Sequence, residues 1–148
     1  MVTDGVDDRI VSNNFELGKD WTIIGDWVLL DDKNVNAGIM KGDSLFIYNR
    51  QSGLVILINR TIGEVDLNTK SLKGISSDGR VYLNDWEEIK TNTNGQTVVS
   101  STNPLIIGAS GNSYTKIAFK NLSIYNGKVL TKDQCIKAYN YLQTLKEK

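Results

Sequence analysis

The chain has 148 residues, with 17 lysines and arginines balanced by 17 aspartates and glutamates, and no histidine. Zero net charge and the lack of a basic cluster interleaved with aromatics argue against a nucleic-acid or anionic-membrane surface. The missing imidazole excludes Ser–His–Asp and Cys–His catalysis and removes the usual zinc ligand. Cys135 is the only cysteine, so no internal disulfide can form. No apolar run approaches the roughly 18 residues of a membrane-spanning helix. The length fits one domain over 1–148. The opening MVTDGVDDRIV has neither the basic nor the apolar region of a secretion signal. The expectation is a domain that folds from its first residues, either a cytoplasmic product or a cut piece of a longer protein with an added Met.

Turn-forming residues recur every eight to twelve residues or so, with apolar, β-branched-rich runs between them, the spacing of a β-sandwich or barrel. Strands are expected at Arg9–Ser12, Trp21–Leu30, Gly38–Lys41, Ser44–Asn49, Leu54–Asn59, Arg80–Leu83, Glu88–Lys90, Gln96–Val99, Leu105–Ile107 and Tyr114–Tyr125. Leu54–Ile58 is apolar at every position and reads as a strand covered on both faces, central in its sheet. In the last strand, Ile117 and Phe119 are out of phase with Leu122 and Ile124. A strand alternates strictly, so one extra residue has to be absorbed near Lys120 and Asn121, as a bulge or sharp bend.

A helix is expected from Thr131 to about residue 146. Thr131 and Gln134 form a capping box, and Asp133 suits the positive helix end. Cys135, Ile136, Tyr139, Leu142 and Leu145 follow as one apolar stripe, with Cys135 a small buried apolar group. Lys146 and Lys148 close the helix at its negative end. The pattern is therefore all-β, a sandwich or barrel of short strands with one C-terminal α-helix.

Several segments resemble the concanavalin A-like lectin/glucanase domains of the laminin-G type. DGVDDRIV at Asp4–Val11 is similar to that family's first strand, and WTIIGDWVLL at Trp21–Leu30 to its next core strand. VYLND at Val81–Asp85, PLIIG at Pro104–Gly108 and KNLSIYNGKVLTKDQ at Lys120–Gln134 match its later motifs in order. Asn84-Asp85-Trp86 departs from the Asn-Gly or Asp-Gly usual in that turn, and the terminal helix is longer than usual. The resemblance implies the fold class, an all-β, two-sheet antiparallel jelly-roll sandwich with one C-terminal α-helix, and binding of sugars or proteins through a concave face or edge loops; some relatives are glycoside hydrolases.

Glu64-Val65-Asp66 is the nearest approach to a hydrolase signature. Laminarinase-type relatives carry Glu-x-Asp-x-x-Glu, whose two catalytic carboxylates stand about 5 Å apart for retention. Here the sixth position is Thr69, so the segment reads as a solvated strand edge and the chain as no enzyme. Calcium is the one possible cofactor. Asp4, Asp7 and Asp8, with Asp31 and Asp32, offer hard oxygen ligands of the kind some relatives use; the plainer reading is turn carboxylates bonded to their own backbone. Of the tryptophans, Trp27 matches the family's core position and Trp21 reads as half-buried. Trp86, in a polar turn with Asn84 and Asp85, is the best sugar-stacking or partner-contact residue, with Tyr114 a weaker companion. The sequons at Asn59 and Asn121 carry little weight.

These features lead to the expectation of a non-catalytic lectin-like module. Its first setting is the surface of a bacteriophage particle, on the capsid or tail, where the domain decorates or adheres and meets other virion proteins or cell-surface glycans. A carbohydrate-binding module of a larger secreted enzyme or adhesin is the alternative, with an extracellular location. No nucleic acid and no membrane insertion are expected.

Overall fold

The computed structural model describes Val2, residues 9–12, 17–30, 38–41, 45–50, 53–58, 64–67, 69–90, 105–110 and 113–145. Gln96–Val99, Asp4, Asp7, Asp8, Asp31, Asp32, the Asn59 sequon, Lys146 and Lys148 lie outside the described residues. The strands, all antiparallel to their neighbours, are β1 (Ile10–Val11), β2 (Trp21–Leu29), β3 (Gly38–Lys41), β4 (Leu45–Arg50), β5 (Gly53–Ile58), β6 (Glu64–Leu67), β7 (Ser71–Ser76), β8 (Arg80–Tyr82), β9 (Glu88–Lys90), β10 (Ile106–Ile107), β11 (Ala109–Ser110), β12 (Ser113–Tyr114) and β13 (Ile117–Asn126). Helix α1 (Lys132–Thr144) follows.

One sheet has the order β1-β10-β3-β4-β5-β6, the other β13-β2-β7-β8-β9, and β11 pairs with β12 alone. This is the expected all-β, two-sheet antiparallel sandwich with a C-terminal helix. Ile47, Leu54, Ile56 and Ile107 from the first sheet meet Ile23, Trp27, Leu29, Leu72, Ile75, Val81, Ile117 and Phe119 from the second in one buried cluster. Strand β5 lies inside its sheet, one place from the edge, while β6, carrying Glu64 and Asp66, is an edge strand. Trp27 is 2% exposed, as expected of a core residue. Trp21 is not half-buried: at 0% exposure it is wholly inside, because β2 is flanked on both sides and Trp21 shares the inward phase of Ile23 and Trp27.

The expected strand Tyr114–Tyr125 is divided. Tyr114 belongs to β12 and pairs with Ala109, and β13 starts only at Ile117. The extra residue falls where the phase change requires it. The register against β2 shifts between Lys120 and Ser123, and Asn121 takes a left-handed φ of 59°. Leu122 and Ile124 thereby face the same core as Ile117 and Phe119. Val2 bridges Ala118 at the outer side of β13.

Helix α1 begins as expected. The Thr131 side chain accepts from the Gln134 backbone N–H and the Gln134 side chain accepts from the Thr131 N–H. Thr131→Ala removes one half of this box and should lower stability by about 1 kcal/mol, measured as a shift in urea midpoint at unchanged slope. The helix ends earlier than 146, with Leu145 as its C-cap; Leu145 leaves the stripe and is exposed.

Candidate functional site

The five-stranded sheet has two covered faces. Its inner face meets the core; on its outer face Ile24 and Tyr82 pack with Leu130 and Cys135, with Trp86, Tyr125, Ala138 and Tyr139 around them. Helix α1 therefore lies on the sheet and not at its rim. Its entry is fixed by Thr22, whose hydroxyl donates to the Lys128 carbonyl at 3.1 Å and accepts from the Leu130 N–H at 2.9 Å.

Farther along α1, Tyr139 meets two charged residues of the sheet. Asp26 and Lys73 lie on β2 and β7, where the register shifts between Ile24 and Trp27 so that Gly25 and Asp26 face Lys73 alone. Lys73 Nζ donates to Asp26 Oδ1 and, at 2.7 Å, to the Tyr139 hydroxyl. That hydroxyl donates to Asp26 Oδ2 at 2.9 Å. The ammonium also stands 4.1 Å from the Tyr139 ring centroid, a cation–π contact. The Lys73 and Asp26 side chains are only 14% and 15% exposed. Each of the three side chains bonds the other two, so the trio works as a latch between helix and sheet.

The β8–β9 turn lies beside the latch. The Trp86 N–H donates to the Leu83 carbonyl and the Leu83 N–H to the Glu87 carbonyl, each at 3.0 Å. Asn84 and Asp85 occupy the two centre positions, and Trp86 takes the left-handed position at φ 63°. Glycine suits that position in three-residue hairpin loops, and a bulky side chain there is strained. The indole leans inward, its centroid 6.0 Å from that of Tyr82 and 5.6 Å, edge-on, from that of Tyr139. Asn84 Nδ2 donates to Ser71 Oγ at 2.5 Å, and Asp85 Oδ1 accepts from the Glu87 N–H at 3.0 Å. Asn84, Asp85 and Trp86 are thus brought together on one turn, the first two exposed and Trp86 partly buried. Tyr114 lies on β12, outside the sheet that carries this turn. The indole, offered above as a stacking face, is partly engaged by its two tyrosine neighbours.

Sequence reasoning missed Asp26, Lys73 and Tyr139 as a group. One signal was present: Asp26 is the only charge inside the apolar run Trp21–Leu30. Among the described residues, no group of three His, Cys, Asp or Glu side chains is placed to hold a metal ion.

Three protons in this region are held more tightly in the fold than in the open chain. Burial pushes the Cys135 thiol from 9.0 up to about 11 and the Tyr82 hydroxyl from 10.0 up to about 12. For Lys73, burial works to lower the value, but the hydrogen bonds to Asp26 and Tyr139 outweigh it and leave the ammonium above its ordinary 10.5. A raised value means that the unfolded chain loses its proton first, so the stabilisation is whole below the unfolded value and drains away as pH rises through the folded one. The urea midpoint should therefore fall between pH 9.0 and about 12. Cys135→Ala should flatten the early part of that fall, and the α1 amides should be the first to lose exchange protection.

No known family profile matches the chain, and no curated protein matches it. Among solved structures it is similar to a botulinum neurotoxin type G receptor-binding domain, with a TM-score of 0.56 at 13% identity. The match covers 95% of this chain and 46% of that one, so the chain spans less than half of that structure. At this identity the likeness shows the β-sandwich fold and nothing finer.

Proposed function

We propose that the chain is a non-catalytic recognition module of the concanavalin A-like, laminin-G-like kind, which presents the Asn84–Trp86 turn to a glycan or protein partner. The observation that carries the reading is the left-handed Trp86. A tryptophan held where the turn favours glycine costs about 1–2 kcal/mol, and strain of this kind gathers at functional sites. Exposed polar groups at Asn84 and Asp85 stand next to it, the mixture of aromatic face and hydrogen-bonding groups by which sugars are bound. The name of the similar solved structure, a receptor-binding domain, agrees with recognition as the task of such a sandwich. The proposed setting is a virus-particle surface, capsid or tail of a bacteriophage, with virion proteins or surface glycans as partners; it rests on sequence reasoning alone. A module of a larger secreted enzyme or adhesin is the second reading, and a reading frame that extends upstream into a secretion signal would favour it.

The test is Trp86→Gly. Glycine adopts the left-handed conformation without strain, so the turn survives. The lost ring contacts, about 0.5–1.5 kcal/mol each on top of the apolar area the indole buries, are offset only in part by relief of that strain, so stability should fall by about 1–3 kcal/mol. Binding on a glycan array, or to assembled particles, should fall at least tenfold, as for a tryptophan at the centre of an interface. Binding unchanged by Trp86→Gly sinks the site, and a chain that captures neither glycans nor particles sinks the reading.

A further inference from the structure

We propose that α1 sets the geometry of the Trp86 turn through the ring of Tyr139, so that the recognition surface is complete only while the helix is docked. This deepens the recognition reading and rests on it for what the turn does. How the turn is held rests on geometry alone.

Among the described residues Trp86 meets two aromatic rings of different standing. Tyr82 belongs to β8, the strand that leads into the turn, and stays beside Trp86 whatever the helix does. Tyr139 comes from α1, far along the chain, and reaches Trp86 only when the helix lies on the sheet. Its edge-on ring is the contact that docking adds. Tyr139 in turn is placed by the latch. Its hydroxyl donates to Asp26 and accepts from Lys73, and the Lys73 ammonium stands by its ring. The helix carries the ring to Trp86, and the Lys73 ammonium over the ring is a contact that does not need the hydroxyl. With the helix away, the strained turn loses one of its two ring contacts, and the left-handed state is the conformation with most to gain by relaxing. Two packings, helix on and helix off, then correspond to a formed and an unformed recognition turn. Tyr139 is in this sense a positioning residue: it touches Trp86 and leaves the partner to the turn.

The test uses the full chain and acrylamide as a fluorescence quencher. Trp21 and Trp27 are 0% and 2% exposed, so Trp86 dominates the quenchable emission. In Tyr139→Leu the packed Trp86 conformer should become roughly threefold to tenfold less favoured, read as stronger quenching and a red-shifted emission. Tyr139→Phe keeps the ring and should restore the shielding that leucine loses, although both hydroxyl bonds are gone. Hydrogen exchange on the same samples reports whether α1 remains docked. Trp86 as shielded in Tyr139→Leu as in the parent, with α1 either docked or released, overturns the proposal; so does a Tyr139→Phe chain as open as Tyr139→Leu. Partner binding plays no part in this readout. A chain that shows these shifts yet binds nothing through Trp86 sinks the recognition reading only. Unchanged quenching in a chain that binds through Trp86 sinks the positioning only.

Discussion

Gly25→Ala should destabilise the sandwich by about 3 kcal/mol, the upper part of the range for overpacking a well-filled site. A Cβ at residue 25 would stand 2.5 Å from the Asn121 carbonyl oxygen and 3.3 Å from both the Asn121 carbonyl carbon and the Leu122 Cα. All three are backbone atoms and have no rotamer by which to move aside. They stand so close because Asn121 is the extra residue of β13, and its left-handed turn presses the bulge against β2. The clash therefore forces apart the two strands that pair most extensively in this sheet. Urea denaturation should show the loss as a lower midpoint. Gly127→Ala is the comparison: nothing lies within 4 Å of its Cβ position and only a φ of +79° stands in the way, so about 1 kcal/mol is expected there. Equal effects at the two positions would show that the bulge is not tightly packed.

Asp26→Ala should cost about 2–3 kcal/mol, less than the 3–5 kcal/mol of a fully buried pair because a little water still reaches it. The substitution leaves the Lys73 ammonium, whose side chain is 14% exposed in the parent, with the Tyr139 hydroxyl as its remaining partner in the latch. Adding Lys73→Met removes the orphaned charge and keeps the stem. The double variant should therefore recover most of the loss, and a double-mutant cycle should report a coupling above about 1 kcal/mol. Additive losses would mean that the latch is a solvated ion pair of little consequence. Exchange at the α1 amides would show whether the cost is paid at the helix or throughout the sandwich.

Much of the architecture was legible because it depends on local pattern. The phase change between Phe119 and Leu122 can only be absorbed by an extra residue, and the capping box at Thr131 needs only its own turn. Strand β7 was not legible, although it lies at the middle of its sheet. In SLKGIS the core residues Leu72 and Ile75 are three apart, which breaks the alternation by which a strand is read. The cause lies on another strand, in the irregular pairing opposite Gly25 and Asp26. Gly74 completes the disguise: it resembles a turn, but it is there because a Cβ would meet the Ile23 carbonyl oxygen at 3.1 Å and the Tyr82 ring at 3.4 Å. The site was half legible for the same reason. A tryptophan between Asp85 and Glu87 stands out in a sequence, whereas its approach to Tyr139 is made by a helix 53 positions later (139 − 86). Asp26, Lys73 and Tyr139 come from three separate elements, and their meeting depends on how the helix lies on the sheet.

The displaced register of β13 also bears on how the protein behaves in crowded solution. Terminal strands are the usual seeds of ordered aggregation, since another chain can lengthen the sheet along them. Strand β13 is ten residues long and ends its sheet apart from the Val2 bridge to Ala118, and Asn121 interrupts it near the middle. Lys116 and Lys120, both exposed, bracket Ala118. Val2 already bridges the outer edge at Ala118, and the two lysines set like charges against a second copy that would displace it. The residue that lets β13 keep one face on the core thus also interrupts the edge along which another chain would have to pair.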